Sequence, residues 1–403
     1  MQKRKRTMEN FRKKLSFAAV AVYAVCVAVC CERVDKDVRS QGGDTRTDNA
    51  ILMEDVARLL SSVNIGEGQM GEVHDAVTSS SVNGYDEEYT MENLFSDPGA
   101  GVGDSPTRAG APVYRTPLRD LLRAALSDRF GTKAGEDSPE VDAYIENISS
   151  SGVQIYWPFS EEWDGTTSPI ITYDPCDNSA RNVGYVMGDD GEMTEIIVDE
   201  DIARERPVWV VNRNDDAGFK SLEMLRREDP DWGTSGGTIT VKSSYSEDKT
   251  LILRSFVMKR NYDTWFAGAS EFFVKCGSIA GFKATTEQEM RLYSPTVTDF
   301  MIVVRRNQVG TEIPFNAVLA SEWTDQVNNC AFIITEDDGG TRTTWKSSAV
   351  VKYNSKAYGI DIEIPINARD DIVWRGQLSR SYIERFNGQT GHFGDVDLVL
   401  ELI

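Results

Sequence analysis

The sequence predicts an α+β protein that is mainly β, with short N-terminal helices followed by antiparallel β-sheet modules and a C-terminal β-sandwich. Three observations support this prediction. Apolar residues recur at helical spacing before residue 150. After residue 150, β-branched and aromatic residues form short runs that recur about every 10 to 15 residues, with turn residues between them. No long helical pattern lies between these runs, which favours antiparallel sheets over a parallel sheet with crossover helices.

Amphipathic patterns predict helices in the stretches ILMEDVARLLSSV, RTPLRDLLRAALSDRFG and DSPEVDAYIEN. In the second stretch, Thr116 is the expected cap, Pro117 suits the first turn and Gly131 ends the helix. In the third, Ser138 followed by proline provides a similar start. A linker rich in Gly and Pro, near 96–112, separates the first stretch from the second.

The runs that predict strands begin near residue 153 and continue to the C-terminus. They are VQIYWPF, SPIITYD, TEIIVDED, RPVWVVNRND, TITVKSSYS, LILRSFVMKR, SEFFVKCG, DFMIVVRRN, NCAFIITED, WKSSAVVKYN, YGIDIEIPI, DIVWRGQL and DVDLVLELI.

Composition divides the chain into segments. Residues 1–30 have the pattern of a signal peptide, and the polar residues 31–50 are expected to form a flexible tether. Residues 51–150 form the helical segment, whose short helices are expected to pack on another part of the chain. Residues 151–247 form either a small β module or strands that these helices complete, and residues 248–403 form the C-terminal sandwich.

The N-terminus predicts secretion. Basic residues dominate positions 3–14, and no charged residue occurs between Phe17 and Cys30. A basic segment followed by an apolar run of about 7–15 residues is typical of a signal peptide, whereas a membrane-spanning helix needs roughly 20 apolar residues. A start at Met8 instead of Met1 would keep enough basic residues, so both starts remain open.

Two adjacent cysteines, Cys30 and Cys31, end the apolar run, and Glu32 opens the polar chain after them. With Ala28 and Val29 before them, they resemble the lipobox of bacterial lipoproteins, in which a cysteine receives a diacylglycerol thioether. The resemblance implies that Cys31 is lipidated, with Cys30 as the alternative; an uncleaved membrane anchor is the other alternative.

Stretches such as VDEDIARERPVWVVN are similar to uncharacterised secreted lipoproteins of Gram-negative bacteria. An exported, membrane-anchored protein of the outer membrane or cell surface is implied.

The net charge and the cysteine content exclude some partners and some kinds of site. The chain carries 64 acidic and 43 basic side chains, a formal net charge of −21, which repels nucleic acid. After Cys31 the chain contains only Cys176, Cys276 and Cys330, and their number and spacing exclude a disulfide scaffold or a C-x-x-C site. We expect buried free thiols, with a single bridge as the alternative.

Common catalytic motifs are absent or lie in the wrong context. The histidines are His74 and His392, and no H-E-x-x-H occurs, which argues against a zinc peptidase of the common kind. Residues 233–237 match the G-x-S-x-G of α/β-hydrolases, but RREDPDW precedes them and a predicted strand follows. A nucleophile elbow needs a strand before the serine and a helix after it, so this stretch is predicted to connect strands.

The stretch YWPFSEEWDG predicts a hairpin loop with edge tryptophans and exposed acids. Its candidate binding residues are Trp157, Trp163, Glu161, Glu162 and Asp164. Carboxylates beside aromatic rings suit a carbohydrate, but adjacent acids in one loop do not face each other across a substrate. A solvated hairpin loop is therefore the preferred interpretation, and binding of a sugar without cleavage is the functional alternative.

Carboxylates also follow two predicted strands near the C-terminus. In a simple meander, the turn after NCAFIIT and the turn before DIVWRGQL lie at the same end of the sandwich, which brings Glu336, Asp337 and Asp338 close to Asp370 and Asp371. Such a rim suits Ca²⁺, which takes 6–8 oxygen ligands and accepts loop carbonyls. The arrangement is similar to that of calcium-dependent β-sandwich binding modules, and implies metal ligands at Asp337, Asp338, Asp370 and Asp371. Asp-Asp pairs beside glycine are also ordinary turn chemistry, so solvated turns are the preferred interpretation and a calcium site is the functional alternative.

Three classes of function are compatible with these observations. A lipid-anchored envelope or surface lipoprotein that acts as a binding or interaction protein is preferred, because β-sandwiches without catalytic spacing usually bind. The alternatives are a secreted hydrolase with an unrecognised carboxylate site and a structural envelope component. The expected partners are the membrane, through the anchor, and a protein or glycan ligand; calcium is the candidate cofactor, and no catalytic residue is assigned.

If Cys31 carries the lipid, the Cys31→Ser variant should leave the membrane fraction or stall with its signal attached. Fractionation of cells that express either form, with mass spectrometry of the mature N-terminus, measures this. The matched control is Cys30→Ser, which should stay anchored. A mature N-terminus at another residue, without an acyl mass, would contradict the prediction.

Overall fold

The computed structural model describes residues 53–96, 114–132, 138–177, 179–188, 191–214, 219–228, 248–338 and 341–403. The predicted signal peptide, Cys30, Cys31 and the tether lie outside these ranges, as do residues 233–237 and the linker from residue 97. Within the described ranges the protein is α+β and mainly β, as predicted. None of the helices in these ranges is long and apolar enough to cross a membrane.

The N-terminal helices begin and end close to the predicted signals. They are α1 (Met53–Ser61), α2 (Glu67–Val82), α3 (Met91–Phe95), α4 (Leu118–Phe130) and α5 (Pro139–Ser150). The Ser138 side chain caps α5 by accepting a hydrogen bond from the Val141 amide, and Gly131 ends α4 in the left-handed conformation. The predicted cap of α4, Thr116, is wrong by one residue: Pro117 has an extended ψ of 149° and takes the cap position.

Six short strands form the N-terminal sheet in the order β1-β2-β6-β3-β4-β5. They are β1 (Glu88–Thr90), β2 (Val153–Tyr156), β3 (Ile170–Tyr173), β4 (Asn182–Met187), β5 (Met193–Val198) and β6 (Val208–Arg213). The pair β3 and β6 is parallel, which corrects the expectation of purely antiparallel pairing. Between them β4, β5 and helix α6 (Glu200–Glu205) supply the long connection that a parallel pair requires. TEIIVDED is not one strand, since Asp199 caps α6.

The helices and this sheet share one hydrophobic core. Side chains of α1 to α5 pack on one face of the sheet, around Trp209, Val211 and Ile155. The helices therefore cover one face of the sheet and form a common core with it, which is the second of the two arrangements that the sequence left open. We refer to the described residues between 53 and 214 as the N-terminal module.

The C-terminal part consists of two sheets around a second core. Its strands are β7 (Lys249–Met258), β8 (Ser270–Ser278), β9 (Thr296–Val304), β10 (Ile313–Trp323), β11 (Val327–Glu336), β12 (Arg342–Tyr353), β13 (Lys356–Asn367), β14 (Asp371–Ser379), β15 (Thr390–Phe393) and β16 (Val396–Leu402). One sheet has the order β10-β7-β16-β15 and the other β13-β12-β11-β8-β9, with β14 beside β11. The short helices are α7 (Leu222–Glu228), α8 (Glu287–Met290) and α9 (Arg380–Arg385).

Strand β10 was missed by the sequence pattern for a physical reason. Its register against β7 shifts between Pro314 and Ala317, and Asn316 adopts a positive φ of 53°. Such irregularities interrupt the alternation of apolar and polar residues by which a strand is recognised. Strands β1, β4 and β15 were also missed, and β1 and β15 are only three and four residues long.

The simple meander is modified between β11 and β14. Strands β12 and β13 pair along their whole length, but β12 pairs with β11 only near Val327 and Asn329. Strand β14 occupies the edge of β11 beyond that point, where Glu336 lies opposite Asp371. The turns at 337–338 and 367–370 therefore lie at the same end of the sheet.

The loop between β7 and β8, residues 259–269, joins the sandwich to the N-terminal module. Its Trp265 and Phe266 are buried against the sheet face opposite the helices, among residues such as Val208 and Val210. We call this contact between the loop and the N-terminal module the seam. Within it, the Asn212 side-chain amide donates to the carbonyls of Phe266 and Ala267, at 3.1 and 2.6 Å.

Backbone geometry fixes the end of the same loop. The Ala269 amide donates to Asp86 Oδ2 at 2.9 Å, and Gly268 has a φ of 137°. A Cβ at position 268 would lie 2.8 Å from Asp86 Oδ2. Glycine is therefore required for this close approach.

The three cysteines in the part of the chain that the structure describes are free thiols, but only two of them are buried. Cys276 and Cys330 lie in the sandwich core, whereas Cys176 is exposed, which corrects the expectation for that residue. Cys276 lies opposite Phe332, so Cys330 is its diagonal neighbour. Diagonal Cα atoms in a sheet lie about 7–8 Å apart, beyond the usual span of a disulfide. Hydrogen bonding with Cys330 and burial raise the pKa of Cys276 well above its ordinary value, which keeps that thiol protonated and unreactive.

We expect all three thiols to react with a thiol reagent after denaturation without reductant. Replacing Cys276 or Cys330 by Ala should lower the free energy of unfolding by about 1–2 kcal/mol, because each change trims a packed core side chain. Urea unfolding measures the loss, and exposed Cys176→Ser is the control with little effect. A single reactive thiol would show a bridge and refute the prediction.

Candidate metal centre

Three carboxylates converge where the sandwich meets the seam. Asp263, Glu271 and Glu336 each place one oxygen so that the three oxygens lie within 4.8 Å of one another. Asp263 belongs to the β7–β8 loop, Glu271 lies near the start of β8 and Glu336 ends β11. We call these residues the carboxylate triad.

Sheet register brings the triad together. Glu336 pairs with Phe272 of β8, the residue that follows Glu271, and the Asp337 amide donates to the Glu271 carbonyl at 2.9 Å. On its other side Glu336 pairs with Asp371 of β14. The end of β11 and the starts of β8 and β14 thus meet at one edge, to which the loop adds Asp263.

The four predicted metal residues lie at this edge, next to the triad. The Asn367 side-chain amide donates to Asp337 Oδ1 at 2.9 Å, and the Asn367 backbone amide donates to Asp370 Oδ2 at 2.9 Å. Asp338 and Asp371 are exposed beside them. We call the triad together with these four residues the acidic rim. The sequence placed Glu336 in the group but missed Asp263 and Glu271, because only the tertiary position of the β7–β8 loop brings Asp263 to β11.

Burial makes the triad costly without a ligand. Glu336 is only 1 % exposed, and its Oε1 accepts no hydrogen bond from an N–H or hydroxyl donor of the described residues. The same holds for Oδ2 of the half-buried Asp263. An ionised carboxylate oxygen in such a position is unfavourable unless a cation or a proton compensates its charge.

Protons can supply part of this compensation. Burial, hydrogen bonding with Asp263 and the charge of that residue raise the pKa of Glu336 to about 11. Burial also raises the pKa of Asp263, although Glu336 and the Arg306 charge act against this. Loss of hydration and the neighbouring acids raise the pKa of Asp338 and of Asp370 to about 6. Without a cation, Glu336 therefore holds a proton at neutral pH and shares it with Asp263.

Two basic residues near the rim also contact other groups. Arg306 is buried, donates from Nη2 to the Asp263 carbonyl at 2.6 Å and lies 3.5 Å from Glu200 Oε2 in the N-terminal module. Lys275 pairs with Asp299 at 3.2 Å and donates to the Pro365 carbonyl. The charges of Arg306 and Lys275 are therefore shared between the rim and these other groups.

A second acidic group at the seam is held by protein donors. Asp86 accepts hydrogen bonds from the amides of Ala269 and Glu87, and Glu87 accepts one from Ser160 Oγ at 3.1 Å. Burial, followed by the charge of Asp86, raises the pKa of Glu87 well above its ordinary value. These contacts account for Asp86 and Glu87 as structural residues of the seam.

The structure brings four of the five residues of the predicted sugar-binding loop to one cleft on the N-terminal module, namely Trp157, Glu162, Trp163 and Asp164. Trp157 is only 1 % exposed and packs against Trp209 in the core, so it is not the edge tryptophan that was expected. Glu161 does not line the cleft and instead accepts a hydrogen bond from the Asn307 side-chain amide across the seam.

The hydrolase motif gains no support from the described residues. Ser235 lies outside them. His392 is 74 % exposed at its side chain and contacts Asp397 through Nδ1 at 2.6 Å, while Lys259 forms an ion pair with the same aspartate. This exposed group resembles a surface ion-pair network.

The chain matches no protein-family model, no curated protein and no solved structure. The chemistry of the site must therefore be argued from its own residues.

Those residues suit a hard divalent cation. The side chains of the acidic rim offer only carboxylate oxygens, three of which converge within 4.8 Å. Ca²⁺ accepts irregular oxygen sets, whereas Mg²⁺ requires a stricter octahedron. Zinc prefers nitrogen and sulfur ligands, and the rim has neither.

The Glu336→Gln variant should become more stable relative to the wild type as pH rises from about 5 to 8 in the presence of a chelator. The folded protein holds the Glu336 proton more tightly than the unfolded chain, in which Glu ionises near its ordinary pKa of 4.5. The tighter proton binding stabilises the folded wild type below pH 4.5, and this stabilisation is lost as the pH rises above that value. Glutamine does not titrate, so the variant has no such loss. Urea unfolding at several pH values measures the difference.

The control for this experiment is Glu363→Gln, which changes an exposed glutamate of the same sandwich. Its difference from the wild type should stay nearly constant over the same pH range. A constant difference for Glu336→Gln as well would mean that Glu336 is ionised in the folded protein.

Proposed function

We propose that the protein is an exported, lipid-anchored binding protein of the cell envelope or surface whose acidic rim binds a divalent cation, with Ca²⁺ preferred. The carboxylate triad carries the proposal: three oxygens lie within 4.8 Å of one another, and Glu336 presents a buried oxygen that accepts no hydrogen bond from an N–H or hydroxyl donor of the described residues. Lipidation of Cys31 would provide the anchor to the outer membrane.

A cation at the triad would act as a clamp. Asp263 lies two residues before Trp265 on the loop whose aromatic side chains fill the seam. Coordination by Asp263 from the loop and by Glu271 and Glu336 from the sheet would hold this loop on the sandwich. The N-terminal module, which packs on the same loop, would then be fixed relative to the sandwich.

The expected affinity matches the proposed location. Calcium sites of extracellular modules have dissociation constants of about 10⁻⁴ to 10⁻³ M, because the cation is abundant outside cells. The rim has exposed members, Asp338 and Asp371, through which a cation could enter. An envelope protein would therefore be loaded in its natural surroundings.

A hydrolase that uses the Asp263–Glu336 pair is the second candidate, since two carboxyls with separated pKa values are the usual components of acid–base catalysis. The lack of solvent access to Glu336 argues against a hydrolase. Glu336 is 1 % exposed, and a substrate bond could not reach it without opening the seam. Cation binding requires no such opening.

Ca²⁺ at about 10 mM should raise the melting temperature by several degrees, and Mg²⁺ should raise it less. With a dissociation constant of about 10⁻⁴ to 10⁻³ M, that concentration is a tenfold to hundredfold excess, which stabilises the folded state by about 1.4 to 2.7 kcal/mol. Replacing Asp337, Asp338, Asp370 and Asp371 together by Asn should weaken or abolish the shift without destabilising the cation-free protein, because mutual repulsion is relieved. Asp263→Asn should have the same effect on the shift as the fourfold change.

The matched control changes an equal number of exposed acids away from the rim, namely Asp325, Asp361, Glu287 and Glu363, to their amides. It removes the same charge but should keep the Ca²⁺ shift. Hydrogen exchange of residues 259–269 should slow when Ca²⁺ is added. No shift in the wild type, or an equal one in the fourfold rim variant and Asp263→Asn, would mean that these loops are solvated turns.

A further inference from the structure

A cleft opens on the N-terminal module, between the turn after β2 and the end of α6. One wall contains Phe159, Glu162 and Trp163, and the other contains Arg204, Glu205 and Arg206. None of these residues belongs to the acidic rim.

The aromatic wall is rigid. Trp163 lies 5.6 Å from the ring of Trp157 and 5.3 Å from that of His74, and its indole nitrogen donates to the Thr167 carbonyl at 3.1 Å. The indole donor is therefore used within the loop, which leaves the apolar ring surface to line the cleft. Phe159 adopts a φ of 59°, in the left-handed region that a bulky residue rarely occupies. Such strain is typical of side chains held in place for a function.

Three of the polar groups, Asp164, Arg204 and Arg206, are held by contacts within the protein. Asp164 Oδ1 accepts hydrogen bonds from the amides of Thr166 and Thr167, both at 2.8 Å, which closes the turn beside Trp163. On the opposite wall, the Arg204 guanidinium lies 4.4 Å from the centre of the Phe159 ring. Arg206 donates to the Ser168 carbonyl at 3.4 Å. A preorganised cleft loses less entropy when a ligand binds.

The lining carries charges of both signs. Glu162, Asp164 and Glu205 provide acceptors, and Arg204 and Arg206 provide donors. This mixture does not select a strongly charged ligand, although the chain as a whole has a net charge of −21. A sugar ring presents hydroxyl groups that both donate and accept, and an apolar C–H face that packs on an aromatic ring.

We propose that this cleft binds a neutral saccharide without cleaving it. Trp163 contacts the apolar face of a sugar ring, while Glu162, Glu205 and the arginines bind its hydroxyl groups. Glu161 and Glu162 are adjacent but serve different surfaces, since Glu161 contacts Asn307 across the seam. The saccharide site and the cation site therefore share no residue, and either proposal can fail without the other.

Native affinity electrophoresis of the mature protein, in gels that contain soluble mannan, xylan, dextran or galactan, tests the proposal. All gels contain EDTA, so that the result does not depend on the acidic rim. We expect retarded migration in at least one gel, reversed by the free monosaccharide of that polymer. Trp163→Ala and Glu162→Gln should each weaken binding roughly tenfold or more, as expected for the loss of a central contact.

The matched control is Trp345→Ala, which removes a half-buried tryptophan of β12 in the other module and should leave retardation unchanged. Circular dichroism verifies that each variant is folded, and the exposed Glu162→Gln preserves the test if Trp163→Ala unfolds. Unretarded migration of the folded wild type in every gel would overturn the proposal. Equal retardation of wild type and both cleft variants, or retardation by polygalacturonate alone, would also overturn it.

Discussion

The architecture depends on the insertion of one loop of the sandwich into the core of the other module. Residues 259–269 bury Trp265 and Phe266 against the sheet face that the N-terminal helices leave uncovered. Without this contact, Val208 and Val210 on that face would be open to water, and a sheet with one bare apolar face is unstable in solution. The loop therefore supplies the third layer of the N-terminal module.

The same loop creates an electrostatic cost at its other end. Asp263 is brought to Glu336 and Glu271 because Trp265 and Phe266 fix the loop, and the acids lie close although their charges repel one another. Arg306 stabilises the loop backbone and pairs with Glu200, so it cannot neutralise the triad alone. Either a proton or a cation must complete the site, and this requirement links the seam to the proposed binding of calcium.

The short turn Ser160–Glu162 lies between the seam and the cleft. Ser160 and Glu161 contact the seam through Glu87 and Asn307, whereas Glu162 lines the cleft. The two proposed sites are chemically different, since one consists of carboxylates for a hard cation and the other combines an aromatic ring with groups of both charges. A binding protein with a cation-stabilised seam and a separate ligand cleft is consistent with both.

The sequence by itself determined the α+β class, the helix ends at Gly131 and Ser138, most strands of the sandwich and the grouping of acids near residues 336 and 370, because these depend on local periodicity and turn chemistry. Only the tertiary structure decided the parallel pairing of β3 with β6, the burial of Trp157 and the membership of Asp263 in the carboxylate triad. Strand neighbours and the docking of a loop on another module arise from long-range packing. Asp263 and Glu336, for example, are 73 positions apart along the chain, so no local pattern records their contact.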